Sequence, residues 1–311
     1  MKAYDLIHKY GWDIMPVLSN LGVKLLSNAN VFFVDSGATN ATDANDGEHG
    51  NSWDMPFATV DYAIGKCTAN QGDIILVAPG HTETKSASGA LVTCDVAGVT
   101  IIGVGSGSLR PTLTLSHTGA KAFDIDAANC TVTNFYIDAT GIDEVAMPID
   151  VGAAFFTLCD CYVLMANSTK QATLAVSTSG AANAADDMVI KNCTFLAPNA
   201  GADEAIELEE VENNVQISNC RIIGDFANAC IHNPTGKVLT NLLIEHCYLE
   251  NTQTGDHSIE LISACTGILA YNCYVNDMTQ ATGVDPGSCK SFECYHCDTV
   301  DVSGILCPAA T

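Results

Sequence analysis

The sequence predicts an all-β protein: a right-handed, single-stranded parallel β-helix (solenoid) over residues 31–311, preceded by an N-terminal helical segment over residues 1–30 and opened by a cap helix. Three observations predict it. A phrase of alternating apolar residues ending in Asn-Cys recurs every 24 to 32 residues from Val132 onward. A second alternating apolar phrase falls between successive copies. Charged residues make up only 15% of the chain against 48% hydrophobic, with 25 Gly and 9 Pro, which suits many short strands and tight turns.

The first phrase reads Val132-Thr133-Asn134-Phe135, Leu158-Cys159-Asp160-Cys161, Ile190-Lys191-Asn192-Cys193, Ile217-Ser218-Asn219-Cys220 and Ile244-Glu245-His246-Cys247. Later copies are Leu269-Ala270-Tyr271-Asn272-Cys273 and Phe292-Glu293-Cys294-Tyr295-His296-Cys297. The second phrase includes Phe123-Asp124-Ile125, Ile149-Asp150-Val151, Ala205-Ile206-Glu207-Leu208 and Ser258-Ile259-Glu260-Leu261. At least two short strands per period, with no helical pattern, fit one solenoid coil rather than a propeller blade or a helical repeat.

Stacked coils place equivalent side chains about 4.8 Å apart. Aligned on Cys, the copies predict an inward ladder of Cys161, Cys193, Cys220, Cys247, Cys273 and Cys297, with Phe135 at its head. The ordinary role for such a column is small apolar filler. The Asn before each Cys falls where alternation breaks, so it marks a bend in the left-handed conformation that Asn tolerates. Asn134, Asn192, Asn219 and Asn272 are therefore expected to form an amide ladder, with Asp160, His246 and His296 as substitutes.

Metal binding is not expected of these cysteines, because a ladder spreads ligands along an axis and zinc needs them converging. The dense groups Cys159-Asp160-Cys161 and Cys294-Tyr295-His296-Cys297 lack a matching second pair. The loop Asp43-Ala44-Asn45-Asp46-Gly47-Glu48 offers oxygen ligands for Ca2+, but the Glu that closes an EF-hand loop is replaced by Asp54. No other cofactor is expected.

Twelve Lys and Arg stand against 36 Asp and Glu, a formal charge of −24. That balance argues against nucleic acid and against an anionic membrane surface as partners. The N-terminus shows no secretory pattern, and no apolar run reaches the length of a membrane span. Synthesis and residence in a cytoplasm is the expectation, with release by lysis. Residues 4–26 carry Leu6, Ile7, Trp12, Ile14 and Leu18, apolar side chains without an obvious place in a solenoid. They are read as an anchoring segment.

Ahead of the coils, Val31-Phe32-Phe33-Val34 reads as a strand, and the segment from Pro56 as a helix with Phe57, Val60, Ala63, Ile64 and Cys67 on one face. Gly72-Asp73-Ile74-Ile75-Leu76-Val77-Ala78-Pro79-Gly80 is a buried strand ending in a turn. With Ile101-Ile102-Gly103 following, this stretch resembles the opening of pectin-lyase-like right-handed β-helix proteins. The form with a short helical N-terminus resembles the capsid decoration and spike proteins of tailed bacteriophages. That resemblance covers residues 31–307 and implies a virion surface location, a homotrimer, and capsid or tail proteins as partners.

Many β-helices act on polysaccharide, so outward residues need weighing. Those of the second phrase align as Asp126, Asp150, Ser177, Glu207, His232 and Glu260. On consecutive coils Glu207 and Glu260 lie two spacings apart, roughly 9.6 Å, near the upper separation for an inverting glycosidase. His232 falls between them. The ordinary reading is a solvated sheet face. A lyase would want a basic residue beside an acidic cluster, and Arg110 and Arg221 offer none. The sequence thus points first to a non-catalytic virion protein. A glycosidase using Glu207, His232 and Glu260 comes second, and a surface-glycan adhesin third.

Overall fold

In the computed structural model, residues 29–277, 283–298 and 305–306 are described. The helical anchor and its residues Leu6, Ile7, Trp12, Ile14 and Leu18 lie outside them. The chain forms a parallel β-solenoid of about 8 turns, with 47% strand and 3% helix. It winds as a right-handed parallel β-helix, the hand expected of parallel crossovers.

Each coil contributes to three faces. Face A is a ten-stranded parallel sheet that starts with Val31–Val34 on Ile74–Val77 and ends with Gly267–Ala270 on Lys290–Phe292. Face B includes Thr112–Leu115, Tyr136–Asp138, Tyr162–Leu164, Tyr248–Asn251 and Cys273–Asn276. Face C includes Gly89–Cys94, Ala120–Ile125, Ile149–Val151, Val176–Thr178 and His257–Leu261. The long strands Thr194–Glu207 and Arg221–His232 run round the corner from B to C.

Alternation turns every second side chain inward, and the register stacks like on like. On face A the inward column is Ile75, Ile101, Val132, Leu158, Ile190, Ile217, Ile244 and Leu269, all fully buried. Face B supplies Leu113, Ile137, Val163, Phe195, Ile222, Leu249 and Tyr274. Face C supplies Val92, Phe123, Ile149, Val176, Ile206, Ile231 and Ile259. At the last described coil the columns turn polar: Ser291 follows Leu269, and buried His296 follows Tyr274. Ile305–Leu306 pairs antiparallel with Cys294 and Tyr295.

The corner from A to B is a bend at positive φ on every coil: Asn134, Asp160, Asn192, Asn219, His246, Tyr271 and Glu293, at φ between 45° and 64°. The residue after each bend points inward, giving Phe135, Cys161, Cys193, Cys220, Cys247, Asn272 and Cys294, all buried. Each thiol from Cys161 to Cys247 donates to the carbonyl two residues before it, at 3.2–3.3 Å. Two positions aligned on the Asn-Cys pair need correction. Cys273 faces outward, paired with Tyr248 and Tyr295, and Cys297 pairs with Val275. Inward Leu269 sets the phase, so the bend falls on Tyr271 and the buried place on Asn272. Asn272 fills it by donating to Ile244 O at 2.8 Å and accepting from Cys247 N at 2.9 Å.

The amide ladder also needs correction. Asn192 and Asn219 are exposed, and no hydrogen bond links their side chains among the described residues. Asn134 Nδ2 donates to Gly103 O and Gly105 O. Gly103 sits so close beneath that a Cβ there would lie 2.3 Å from Asn134 O. His296 is no bend; its Nε2 lies 3.0 Å from Asn276 Oδ1 in the core. Side-chain stacking occurs instead at the corner entering face A. There Asn241 donates to Asn214 at 3.2 Å and Asn214 to Asp187 at 3.1 Å, all three at positive φ.

The cap helix spans Val60–Ile64, starting later than Pro56. Asp43 accepts from the N–H groups of Ala58 and Thr59, which holds the approach extended until Thr59 caps the helix. Val60, Ala63 and Ile64 are buried against the first coils.

Positive φ at Asn219 yields a direct test. Asn219→Gly should leave stability within a few tenths of a kcal/mol, whereas Asn219→Ala should cost about 1 kcal/mol in denaturant unfolding. Equal loss in both variants would mean that the side chain, not the backbone, matters at this corner.

Candidate charged site on face C

Outward residues of face C align as Asp124, Asp150, Ser177, Glu207, His232, Glu260 and Asp285. Asp124, not Asp126, pairs with Asp150, because Phe123 and Ile125 are the inward residues flanking it. Asp126 lies past the strand. Lys121 satisfies this end of the column, contacting Asp124 at 3.2 Å and closing on Asp150.

The structure sets Glu207, His232 and Glu260 side by side on three successive coils. Glu204 joins them. A regular strand would turn residues 204 and 207 to opposite sides, but Ala205 and Ile206 are both fully buried, so alternation breaks between them and both glutamates lie on the same side. Glu204 Oε1 lies 3.5 Å from His232 Nδ1. The Glu204 side chain is only 4% exposed, and its Oε2 accepts from Asn228 Nδ2 at 2.8 Å. His232 Nε2 lies 3.9 Å from Glu260 Oε2, whose side chain is 40% exposed. The acidic run from Asp203 to Glu212 carried the signal for Glu204, but alternation alone assigns it inward.

Electrostatics follow from this crowding. Burial, then the charges of Glu204 and Glu209, push the Glu207 carboxyl up to about 7. Pairing with Glu204 raises the His232 imidazole. Ser177 Oγ lies 3.5 Å from Glu207 Oε2 and 3.3 Å from Glu209 Oε2. An acid and a base on either side of a sugar need an open gap between them. In register, that gap between Glu207 and Glu260 is occupied by His232.

The other sequence candidates are dispersed. Asp46 accepts from the N–H groups of Glu48 and His49, which holds its carboxyl down at about 2. Cys159 turns toward Asp160 while Cys161 points into the core, so that pair does not converge.

Face B contrasts with face C. Its outward column runs Leu164, Leu196, Ile223, Glu250 and Val275 in register. Beside it Tyr136 and Tyr162 pack with centroids 5.4 Å apart. Near the C-terminal end Tyr271 is stacked on His246 and meets Phe292 edge-on; Tyr271, Phe292 and Tyr295 are each about half exposed.

Glu212, in the segment between the strands Thr194–Glu207 and Gln216–Ser218, gives the fold a measurable pH dependence. It is fully buried, accepts from Ala185 N at 3.1 Å, and burial pushes its carboxyl from 4.5 up to about 7. The folded chain therefore binds this proton more tightly than the unfolded chain does. Its contribution is complete below about pH 4.5 and is lost as pH rises through about 7. Thermal unfolding should show Glu212→Gln melting higher than the parent at pH 8 and close to it at pH 4.5. A difference independent of pH would remove the linkage.

No protein-family model and no curated protein matches this sequence. Among solved structures, a rhamnogalacturonan lyase aligns with a TM-score of 0.56 at 12% identity, over 86% of this chain and 74% of that one. Pectate lyase Pel9A aligns with a TM-score of 0.53 at 10% identity, over 88% and 78%. The ORF18 protein of Geobacillus virus E2 aligns with a TM-score of 0.45 at 12% identity, over 92% and 64%. What the chain shares with the two lyases is the pectin-lyase-like parallel β-helix fold.

Proposed function

We propose that this chain is a virion structural protein of a tailed bacteriophage, a non-catalytic β-helix that decorates the capsid or forms a spike and works as a homotrimer. The outward column of face B carries this reading. On a sheet with one solvated face, outward positions should be polar, as they are on face C. Leu164, Leu196 and Ile223 instead form an apolar stripe over three successive coils, bounded by Asp138 and Glu250, with Val275 one coil beyond. A contiguous apolar patch marks a contact surface. Turning this face of three copies toward one threefold axis covers every stripe, and the acidic faces then point outward and keep the assemblies apart. Residues 1–30 would serve as the attachment segment. The phage setting rests on the resemblance carried by the opening strands, cap helix and Gly-rich turns.

Native mass spectrometry of the full chain should show a trimer. The double variant Leu196→Glu/Ile223→Glu should run as a monomer with an unchanged circular dichroism spectrum. A monomeric parent chain at micromolar concentration would sink the assembly reading.

Incubated with host capsular polysaccharide, the protein should leave chain length unchanged. Shortening that disappears in Glu207→Gln would replace the structural reading with the glycosidase one.

A further inference from the structure

Glu204, Glu207 and His232 form a constellation that a passive rod does not need. Each offers one ligand-capable atom, and the three atoms lie within 4.8 Å of one another. Glu204 is held almost wholly out of water and Glu207 is half-buried, with no Lys or Arg beside Glu204 among the described residues. Buried carboxylates are normally paired with a cation or coordinate a metal. His232 Nδ1 is fully enclosed and makes no hydrogen bond; its 3.5 Å approach to Glu204 Oε1 is a charge contact only. An enclosed ring nitrogen beside a buried carboxylate, with a second carboxylate in reach, is the donor set of a metal site.

We propose that Glu204 Oε1, a carboxylate oxygen of Glu207 and His232 Nδ1 together bind one divalent cation of the zinc class. The donor chemistry selects the metal. An imidazole nitrogen with two carboxylate oxygens suits zinc and its first-row neighbours, whereas calcium asks for six to eight oxygens. Three protein ligands leave a fourth position for water. Bonds of about 2.0–2.2 Å require the three atoms to close by roughly 1 Å, which half-buried Glu207 can supply by rotation.

The surroundings match this assignment, since each ligand has a partner outside the set. Asn228 fixes Glu204 through Oε2, leaving Oε1 free to coordinate. Ser177 stands beside Glu207. Glu260 faces the other nitrogen of His232, the carboxylate–histidine–metal arrangement that orients a ligating ring. The cation would rest on two successive coils where their register slips and would tie them together. This goes beyond the assembly reading, because a monomer contains all three ligands.

Cobalt is the probe that separates this site from the cysteines, since thiolate ligation gives intense near-ultraviolet charge transfer and nitrogen–oxygen ligation does not. The chelator-treated full chain should take up one Co2+, with weak visible bands, no thiolate charge transfer, and displacement by Zn2+. His232→Ala and Glu204→Gln should each weaken uptake about tenfold or more, and Asn228→Ala about tenfold. Cys220→Ala should change nothing. If Glu204→Gln fails to fold, partly exposed His232 decides alone. No uptake, thiolate bands, or affinity unchanged in His232→Ala would each overturn the assignment.

Discussion

Every coil of this molecule must lay its inward side chains directly over those of the coil before it. Neighbouring strands sit about 4.8 Å apart, close to the contact distance of stacked branched aliphatics. The columns through Ile190, Ile217 and Ile244, and through Phe195, Ile222 and Leu249, are products of that one spacing. The corners inherit the constraint. A bend that strayed by one residue on a single coil would turn that coil's apolar set outward, so the left-handed residue recurs at the same place from Asn134 to Glu293.

This repetition is why the fold was legible in the sequence. The period and the inward identity of Cys161, Cys193, Cys220 and Cys247 follow from aligning the copies; the third strand per coil does not, because the first phrase runs across a corner and holds two strands, as in Thr131–Thr133 and Tyr136–Asp138. The errors are also physical. Asn272-Cys273 looks like Asn219-Cys220, but strand phase is set by the residues that bury most surface, and Leu269 and Tyr274 bury more than Cys273. The pair of letters lost to the larger side chains. The stacked amides at Asn214 and Asn241 went unread because no cysteine follows them to mark the alignment. Glu204 was legible only as part of the acidic run, because alternation assigns it inward and the consecutive burial of Ala205 and Ile206 overrides that rule.

Side-chain chemistry then divides the labour among faces that share one backbone design. Face C concentrates ionisable groups, and burial moves its Glu207 far from the usual carboxylate behaviour. Face B carries aliphatic and tyrosine side chains at the same outward positions. This chain and the two lyases can therefore share this framework at 10–12% identity, because the inward columns specify the coil and the outward ones are free to vary.

A stack of parallel strands has no natural last member, since its final coil presents a ready template for another. At Lys290–Phe292 and Cys294–Asp298 the template is spoiled. Serine and histidine stand where leucine and tyrosine stood one coil earlier, and a short strand running the opposite way pairs with Cys294 and Tyr295. A foreign coil docking there would find mismatched polarity and wrong strand direction. At this described coil the edge is thereby a poor template for end-to-end pairing, whereas the sides of the coils are unaffected.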